Sequence, residues 1–233
     1  MSLPRHIMSI WLQRKNMRLK SDTLRVLRME KEQFDIFLAD IEKYAREKHI
    51  PIVQPDTAEL LKVIISIKNP HAILEVGTAI GYSALMMAEI VSKGSLIDTI
   101  ERNDDMVYKA RENIKKAGFA GIINVIPGEA ADVLECLAKI GKTYDFIFMD
   151  AAKGQYPDFF PFCFKMLEPG GVLMSDNVLY QGMVMDDEKL ERRKGTLVKR
   201  LREYLDMLDS HPHLKTTVLP IGDGLAISYK DKL

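Results

Sequence analysis

The sequence has little of what marks secreted, membrane or strongly basic proteins. It contains only two cysteines, Cys136 and Cys163, without Cys-x-x-Cys spacing, so a disulfide framework or a cysteine zinc site is not indicated. No apolar run approaches the roughly 20 residues of a membrane span, and the N-terminus has no signal-peptide pattern. Lys plus Arg equals Asp plus Glu at 33 each, so the protein has no net positive charge that would attract nucleic acid. We expect a cytoplasmic protein with two buried thiols and no membrane association.

What is present is an ordinary globular composition. The chain has 233 residues, of which 47% are hydrophobic and 28% charged, so it can bury one large core. Residues 1–28 are basic and poorly patterned, and we treat them as an N-terminal extension that an expression vector or a misassigned start codon could in part explain. The remainder, 29–233, is predicted to be a single domain with N-terminal helices at 31–68 and a core at 70–233.

The order of elements predicts the fold. Apolar periodicity indicates helices at 31–48 and 57–68, and then an alternation of strands and helices. The predicted strands are 72–76, 95–100, 122–126, 144–149 and 171–175, and the predicted helices are about 81–92, 104–117, 130–140, 156–167 and 186–209. Strands that alternate with helices form a parallel sheet, whereas the short Ile221-Gly222-Asp223 link between the last two strands, "LKTTVLP" and "GLAISYK", requires an antiparallel hairpin. We therefore predict a doubly wound, Rossmann-like α/β domain with a mostly parallel seven-stranded sheet.

The stretch "ILEVGTAIGYSAL" after the first strand is the candidate cofactor loop, because ligands of such sheets bind at the carboxyl ends of the strands. Gly77 and Gly81 lack the middle glycine of a dinucleotide fingerprint, and no Gly-Lys-Ser/Thr follows as in a P-loop. Glu75 would also repel phosphates. The loop therefore favours a cofactor without phosphates, although a lone G-x-x-x-G is also compatible with a simple strand-to-helix turn.

S-adenosylmethionine fits these residues. Its ammonium group suits Glu75, and its amino-acid end suits Ser83 and the helix-start amides. Glu101, at the end of the second strand, can accept hydrogen bonds from both ribose hydroxyls. After the third strand, Gly128, Glu129 and Ala130 are expected beside the adenine.

A second group of polar residues follows the fourth and fifth strands. Asp150 ends one strand, and Asp176 and Asn177 end the next, so three oxygen ligands should converge without His or Cys. Such ligands suit Mg²⁺ or another oxygen-preferring divalent cation. Lys153 should point into the same crevice as a general base, since a nearby cation favours the neutral form of an amine. The alternatives are that the aspartates are helix caps and that Lys153 is an ordinary surface lysine.

The motifs "LEVGTAIGYSAL", "DAAKGQY" and "DNVLYQG", together with Glu101, resemble the cation-dependent O-methyltransferases, the family of catechol and caffeoyl-CoA O-methyltransferases. The resemblance covers about residues 49–231. It implies that a metal on Asp150, Asp176 and Asn177 holds two vicinal substrate oxygens, that Lys153 takes the proton, and that the enzyme is a homodimer. It also implies the cofactor contacts Val53, Gly77, Ser83, Glu101, Glu129, Ala130 and Asp150.

The substrate is indicated less directly. This chain has Ala151-Ala152 where the catechol enzyme has His-Trp, so a walled pocket for a small phenol is not evident. "DAAKGQY", "DNVL", an Arg-Arg run and "GDGLAIS" resemble the bacterial tRNA 5-hydroxyuridine methyltransferases, which form 5-methoxyuridine at the wobble position.

A basic segment is compatible with an RNA substrate. Within 189–202, seven residues are basic and only Glu191 is acidic. The candidate RNA contacts are Arg192, Arg193, Lys194, Lys199 and Arg200. The same pattern also fits a solvated helix face. The alternatives are an enzyme for catechol-like phenols or caffeoyl-CoA-like thioesters, a non-catalytic RNA-binding protein, and a nicotinamide-dependent oxidoreductase, which the missing middle glycine disfavours.

Overall fold

The computed structural model describes residues 28–186 and 194–232. Within 28–71, two helices precede the sheet, as predicted: α1 (Lys31–Glu47) and α2 (Pro55–Lys68). Pro55 occupies the first turn of α2, where its missing N–H costs no hydrogen bond. Asn69 ends the helix in a left-handed conformation with φ of 46°, which asparagine tolerates better than most residues.

The remaining elements alternate as expected. In chain order they are β1 (Ala72–Val76), α3 (Tyr82–Ile90), β2 (Leu96–Glu101), α4 (Asp104–Lys116), β3 (Ile123–Pro127), α5 (Ala130–Lys139), β4 (Tyr144–Met149), a 3₁₀ turn (Lys153–Gln155), α6 (Tyr156–Met166), β5 (Leu167–Ser175), α7 (Gly195–Asp209), β6 (Leu214–Leu219) and β7 (Leu225–Lys230). The bounds of β1 and β4 coincide with the prediction, because both are short buried runs with abrupt ends.

All seven strands belong to one sheet in the order β3-β2-β1-β4-β5-β7-β6. Strands β1 to β5 pair in parallel, whereas β7 pairs antiparallel with both β5 and β6. This confirms the predicted fold class, including the C-terminal antiparallel hairpin.

The sheet separates two hydrophobic cores. Along β1, Leu74 and Val76 face one core, and Ile73 between them faces the other. Helices α5, α6 and α7 cover the first face, and α1 to α4 cover the second. Because β1 is buried on both faces, a ligand can approach this strand only at its ends.

Two predicted boundaries are wrong. The last long helix was expected from about residue 186, but Asp186 is not helical, and the described helix α7 runs from Gly195. Strand β5 begins at Leu167, four positions before the predicted start, because Leu167 already pairs with Tyr144 ahead of a register shift between β4 and β5. Residues 187–193, with the predicted RNA contacts Arg192 and Arg193, lie outside the described residues.

Cys136 and Cys163 are buried free thiols, as predicted. Across the described part of the chain, no helix combines the length and the apolar character needed to cross a bilayer.

Candidate active site

The candidate site lies where the strand order changes direction. Strand β1 pairs with β2 on one side and with β4 on the other, so the loops after β1 and β4 leave the sheet next to each other. In open α/β sheets this is where ligands bind.

Gly77 makes the close approach of these two loops possible. Its φ is 107°, and a Cβ at this position would lie 2.1 Å from the backbone oxygen of Asp150. Only glycine fits both conditions. The glycine loop of the candidate cofactor site is thus packed directly against the aspartate of the candidate metal site.

A cavity of about 280 Å³ opens beside this contact. Five of the predicted cofactor residues line it: Gly77, Glu101, Gly128, Glu129 and Ala130. The lining also includes Pro51, Ile100, Arg102, Ala151, Ala152, Gln155 and Phe159, which the sequence did not single out as contacts. The predicted contacts Val53, Glu75, Ser83 and Asp150 are not in this lining and remain predictions.

Glu101 is the acceptor in the cavity wall. One carboxylate oxygen accepts a hydrogen bond from the Ala79 N–H and the other from the Asn103 N–H, each at 2.9 Å. These bonds hold the side chain in place and leave further lone pairs on both oxygens. A carboxylate fixed in this way, in a cavity with apolar walls, fits a ligand that carries a diol, such as the ribose of S-adenosylmethionine.

Glu75 is fully buried and bonded within the protein. Its two oxygens accept hydrogen bonds from the hydroxyls of Ser83 and Thr99, both at 2.5 Å, and Thr99 in turn contacts the Thr78 hydroxyl at 2.6 Å. Burial raises the pKa of Glu75 to about 7, although the two hydroxyls oppose this shift. Glu75 of β1 thus connects Ser83, at the start of α3, to Thr99 of β2.

The candidate metal ligands lie on adjacent strand ends. The Asp176 N–H donates to the Met149 carbonyl at 2.9 Å, which places the end of β5 beside Asp150. Asp176 is buried, and its Oδ1 accepts from the Asn177 N–H at 2.8 Å and from the Thr57 hydroxyl at 3.5 Å. Asn177 turns the chain in a left-handed conformation with φ of 57°. The structure thus brings the three predicted ligands to one edge of the sheet.

The charge balance at this edge is negative. Burial and, to a lesser extent, the negative charge of Asp150 raise the pKa of Asp176 to about 6. The nearby cation is Lys153, whose Nζ donates to Asp150 Oδ1 at 2.9 Å. Two carboxylates and an amide oxygen fit a divalent cation, which would relieve the repulsion between the aspartates and release the Lys153 amine from its ion pair with Asp150.

The donor set is also unusual in its composition. Among the residues that the structure describes, no group of three or more His, Cys, Asp and Glu side chains could hold a metal ion. The candidate set has only two such side chains, Asp150 and Asp176; its third member is the amide of Asn177. Oxygen-only sets of this kind suit Mg²⁺, which keeps several waters or substrate oxygens.

Lys153 lies in the 3₁₀ turn between β4 and α6, half-buried beside Asp150. Arg200 of α7 holds this turn, because its Nε–H donates to the Gly154 carbonyl at 3.0 Å while its other nitrogens contact Asp158 and Glu203. Lys153 and Asp150 meet, as the spacing in "DAAKGQY" predicted. The guanidinium that we assigned to RNA is bonded within the protein.

The other predicted RNA contacts in the described chain differ from one another. Lys194 donates to the Tyr180 hydroxyl at 2.7 Å, next to the turn that follows Asn177. Lys199 is exposed on α7. The role of all five basic residues in binding RNA stays a prediction.

Three polar side chains at the site escaped the sequence analysis. Thr57 reaches Asp176 from the first turn of α2, although the two residues are 119 positions apart. Thr99 pairs with Glu75 across β1 and β2, and Tyr156 donates a hydrogen bond to the carbonyl of Asp176 or Met149. Thr99 could have been found, because it and Glu75 are polar residues inside two neighbouring buried strands. Nothing in the sequence pattern indicated Thr57.

Comparisons with known proteins agree with this geometry. The model of the O-methyltransferase family matches residues 30–231. A catechol O-methyltransferase of Niastella koreensis is 30% identical over 182 residues, which cover 76% of this chain and 80% of that protein.

Solved structures show the same fold. A Staphylococcus aureus protein assigned as a caffeoyl-CoA O-methyltransferase superposes with a TM-score of 0.76 at 35% identity, covering 92% of this chain and 99% of that one. An O-methyltransferase of Bacillus cereus in complex with SAH gives 0.76 at 26% identity, covering 92% and 96%. The family match spans most of the chain and includes the candidate site, so this chain belongs to the O-methyltransferase family.

Proposed function

We propose that this protein transfers a methyl group from S-adenosylmethionine to a hydroxyl oxygen and that the transfer requires a divalent cation, most simply Mg²⁺. The observation that carries the proposal is that Asp150, Lys153, Asp176 and Asn177 meet at the sheet edge. Ala151 and Ala152, which lie between Asp150 and Lys153 in the chain, line the same cavity as Glu101. The similarity to O-methyltransferases crystallised with SAH or SAM supports the choice of cofactor.

Each half of the site has its own part in this reaction. When bound, S-adenosylmethionine would supply the methyl group, and a cation on Asp150, Asp176 and Asn177 would draw two neighbouring oxygens of the acceptor toward the site. Glu101, whose carboxylate is held by two backbone N–H groups, would accept hydrogen bonds from the ribose hydroxyls of the cofactor. Lys153, held at 2.9 Å from Asp150, is placed to accept the proton of the acceptor hydroxyl. Alignment of the two reactants then provides much of the rate increase.

For the acceptor we propose 5-hydroxyuridine at the wobble position of tRNA. Its 5-hydroxyl and 4-carbonyl are vicinal oxygens, as the donor set requires. Ala151 and Ala152 in the cavity lining are small, which leaves the entrance without a bulky wall at these positions. Lys199 is exposed on α7, where it could contact phosphate.

A small catechol-like or caffeoyl-CoA-like acceptor is the second candidate. The observation in its favour is that the relatives that match this chain are named for such reactions, the catechol O-methyltransferase of N. koreensis among them. Both candidates present two adjacent oxygens, so the same cation site and the same lysine would serve either one.

The two acceptors can be separated in one experiment. We would incubate the protein with Mg²⁺ and S-adenosylmethionine, either with tRNA that contains 5-hydroxyuridine or with catechol and caffeoyl-CoA, and identify the methylated products by mass spectrometry. We expect 5-methoxyuridine in the tRNA. Absence of 5-methoxyuridine together with ready methylation of a small phenol would reject tRNA as the substrate.

Lys153→Met provides the matched control for this assay. It should abolish transfer to every acceptor, whereas Lys199→Gln should weaken transfer to tRNA and leave transfer to a small phenol unchanged. We also propose a cytoplasmic homodimer, and light scattering during size-exclusion chromatography would test the dimer.

A further inference from the structure

The hydroxyl of Tyr156 lies at the junction of the two strands that end in the candidate metal ligands. Tyr156 is fully buried at the start of α6. Its hydroxyl is 3.1 Å from the carbonyl oxygen of Met149 and 3.1 Å from the carbonyl oxygen of Asp176. One O–H donor is thus shared between the last residue of β4 and the first residue after β5.

The position coincides with the end of the β4–β5 ladder. The last paired residues are Met149 and Ser175, after which the Asp176 N–H still donates to the Met149 carbonyl at 2.9 Å. Beyond this point the pairing of β4 with β5 ends: the Asp150 N–H donates to the Val76 carbonyl of β1, and Asn177 turns the other chain in a left-handed conformation. The next rung between β4 and β5 is missing. The Tyr156 hydroxyl supplies a donor where that rung would have been.

We propose that Tyr156 is a positioning residue that fixes the separation of the carboxylates of Asp150 and Asp176 and thereby sets the affinity of the site for its cation. The inference rests on the metal site of the proposed function. Tyr156 acts on the backbone carbonyls of Met149, the residue before Asp150, and of Asp176 itself, rather than on either carboxylate.

The surroundings make this hydroxyl well suited to the role. The Tyr156 ring packs edge-on against Tyr204, with centroids 5.3 Å apart and planes at 73°. Both residues are fully buried, so the phenol ring has little freedom to follow a displaced strand end. A loss of the shared hydrogen bond would therefore let the ends of β4 and β5 move relative to each other, while the ring itself stays in place.

Tyr204 also provides the matched control. Its hydroxyl is 2.6 Å from the Ser175 side chain and makes no recorded contact with the two strand-end carbonyls. Tyr156→Phe and Tyr204→Phe each remove one buried hydroxyl and keep the ring, so both should lower the melting temperature by similar amounts. Only the first should change the cation site.

The test is a titration of the purified protein with Mn²⁺, followed by electron paramagnetic resonance in the absence of any acceptor. We expect Tyr156→Phe to raise the Kd for Mn²⁺ roughly tenfold, as loss of a group that orients metal ligands typically does. Tyr204→Phe should stay within about twofold of the wild type on the same grounds. The Kd for S-adenosylmethionine, measured by calorimetry, should change less than about twofold in both variants, because neither Tyr156 nor Tyr204 lines the cofactor cavity.

A rescue variant guards against a simple folding defect. Replacement of Tyr156 by 4-aminophenylalanine keeps N–H donors at the same ring position, so its Mn²⁺ affinity should return close to that of the wild type. An unchanged Mn²⁺ affinity in Tyr156→Phe, or an equal loss in Tyr204→Phe, would overturn the inference while leaving the metal site itself intact. A wild-type protein that binds no Mn²⁺ would overturn both the inference and the proposed metal dependence.

Discussion

The two halves of the candidate site treat their carboxylates in opposite ways. At the ends of β1 and β2, Glu75 is satisfied by two hydroxyls, and Glu101 by two backbone N–H groups. At the ends of β4 and β5, the negative charges of Asp150 and Asp176 repel each other. Within the described chain, Lys153 forms an ion pair with Asp150. Both halves lie at the same edge of one sheet.

The difference teaches how the site is divided. The β1–β2 half needs no ligand to keep its shape, because its acceptors already have protein donors. In the β4–β5 half, burial and the negative charge of Asp150 together raise the pKa of Asp176 to about 6, and a bound cation would offset both effects. We therefore expect ligand binding to change the β4–β5 half more than the β1–β2 half.

The largest effect should follow removal of a metal ligand. Asp176→Ala should lower kcat/KM by roughly 1,000-fold or more, because the cation would lose one of its protein ligands. The Kd for S-adenosylmethionine, measured by calorimetry, should stay near the wild-type value. Asp209→Ala, at an exposed position on α7, provides the control. Equal loss of cofactor binding and activity in Asp176→Ala would contradict the division into two halves.

The contact between the halves is tested at Gly77. Gly77→Ala should lower the free energy of unfolding by at least about 3 kcal/mol, because the new Cβ would meet the Asp150 carbonyl in addition to the strain of a positive φ. Gly94 also has a positive φ, of 96°, but has open space around it. Gly94→Ala should therefore cost only about 1 kcal/mol. Urea denaturation would measure both, and equal losses would mean that the close approach is unimportant.

The internal bonding of Glu75 predicts a pH dependence. Its pKa is about 7 in the folded protein against an ordinary value of 4.5, so folding favours the protonated form. The stability that this group contributes is complete below pH 4.5 and is lost as the pH rises through 7. Between pH 5 and pH 8 the wild type should lose about 2 kcal/mol that Glu75→Gln does not lose.

Urea denaturation at the two pH values measures this difference. Glu47→Gln, at an exposed position of α1, should keep the wild-type pH dependence. If Glu75→Gln also kept it, the pH dependence would arise from other groups, and Glu75 would not titrate in the folded protein between pH 5 and pH 8.

The smallest effect is expected at Glu101. Glu101→Gln should raise the Kd for S-adenosylmethionine roughly tenfold, or about 1.4 kcal/mol, because a neutral amide accepts weaker hydrogen bonds than a carboxylate. Glu112→Gln on α4 is the control. Calorimetry should show no change in Mn²⁺ affinity for either variant, and a change in Glu101→Gln would mean that the two halves are coupled.

The sequence predicted the local features of this molecule better than its long-range contacts. The bounds of β1 and β4 and the pairing of Lys153 with Asp150 follow from neighbouring residues, so periodicity and spacing were sufficient. Five of the cavity residues also followed from their places at strand ends. These features depend on the direction of the strands but not on how the helices dock.

The features that were missed depend on register and docking. Thr99 meets Glu75 only because β1 and β2 pair in one particular register, and Thr57 meets Asp176 only because α2 docks beside β5. The shared hydroxyl of Tyr156 likewise depends on where two strands part. The expected start of the last long helix near residue 186 was wrong because periodicity does not fix where a helix begins, and Asp186 is not helical in the structure.

The most direct test of the central claim, that the β4–β5 half is a cation site, is methyl transfer before and after removal of divalent cations. The protein would be treated with excess chelator, assayed with S-adenosylmethionine and an acceptor that has two vicinal oxygens, and assayed again after Mg²⁺ is restored. We predict that transfer stops in chelator and returns with Mg²⁺, while S-adenosylmethionine binds in both states. Undiminished transfer in excess chelator would contradict the claim.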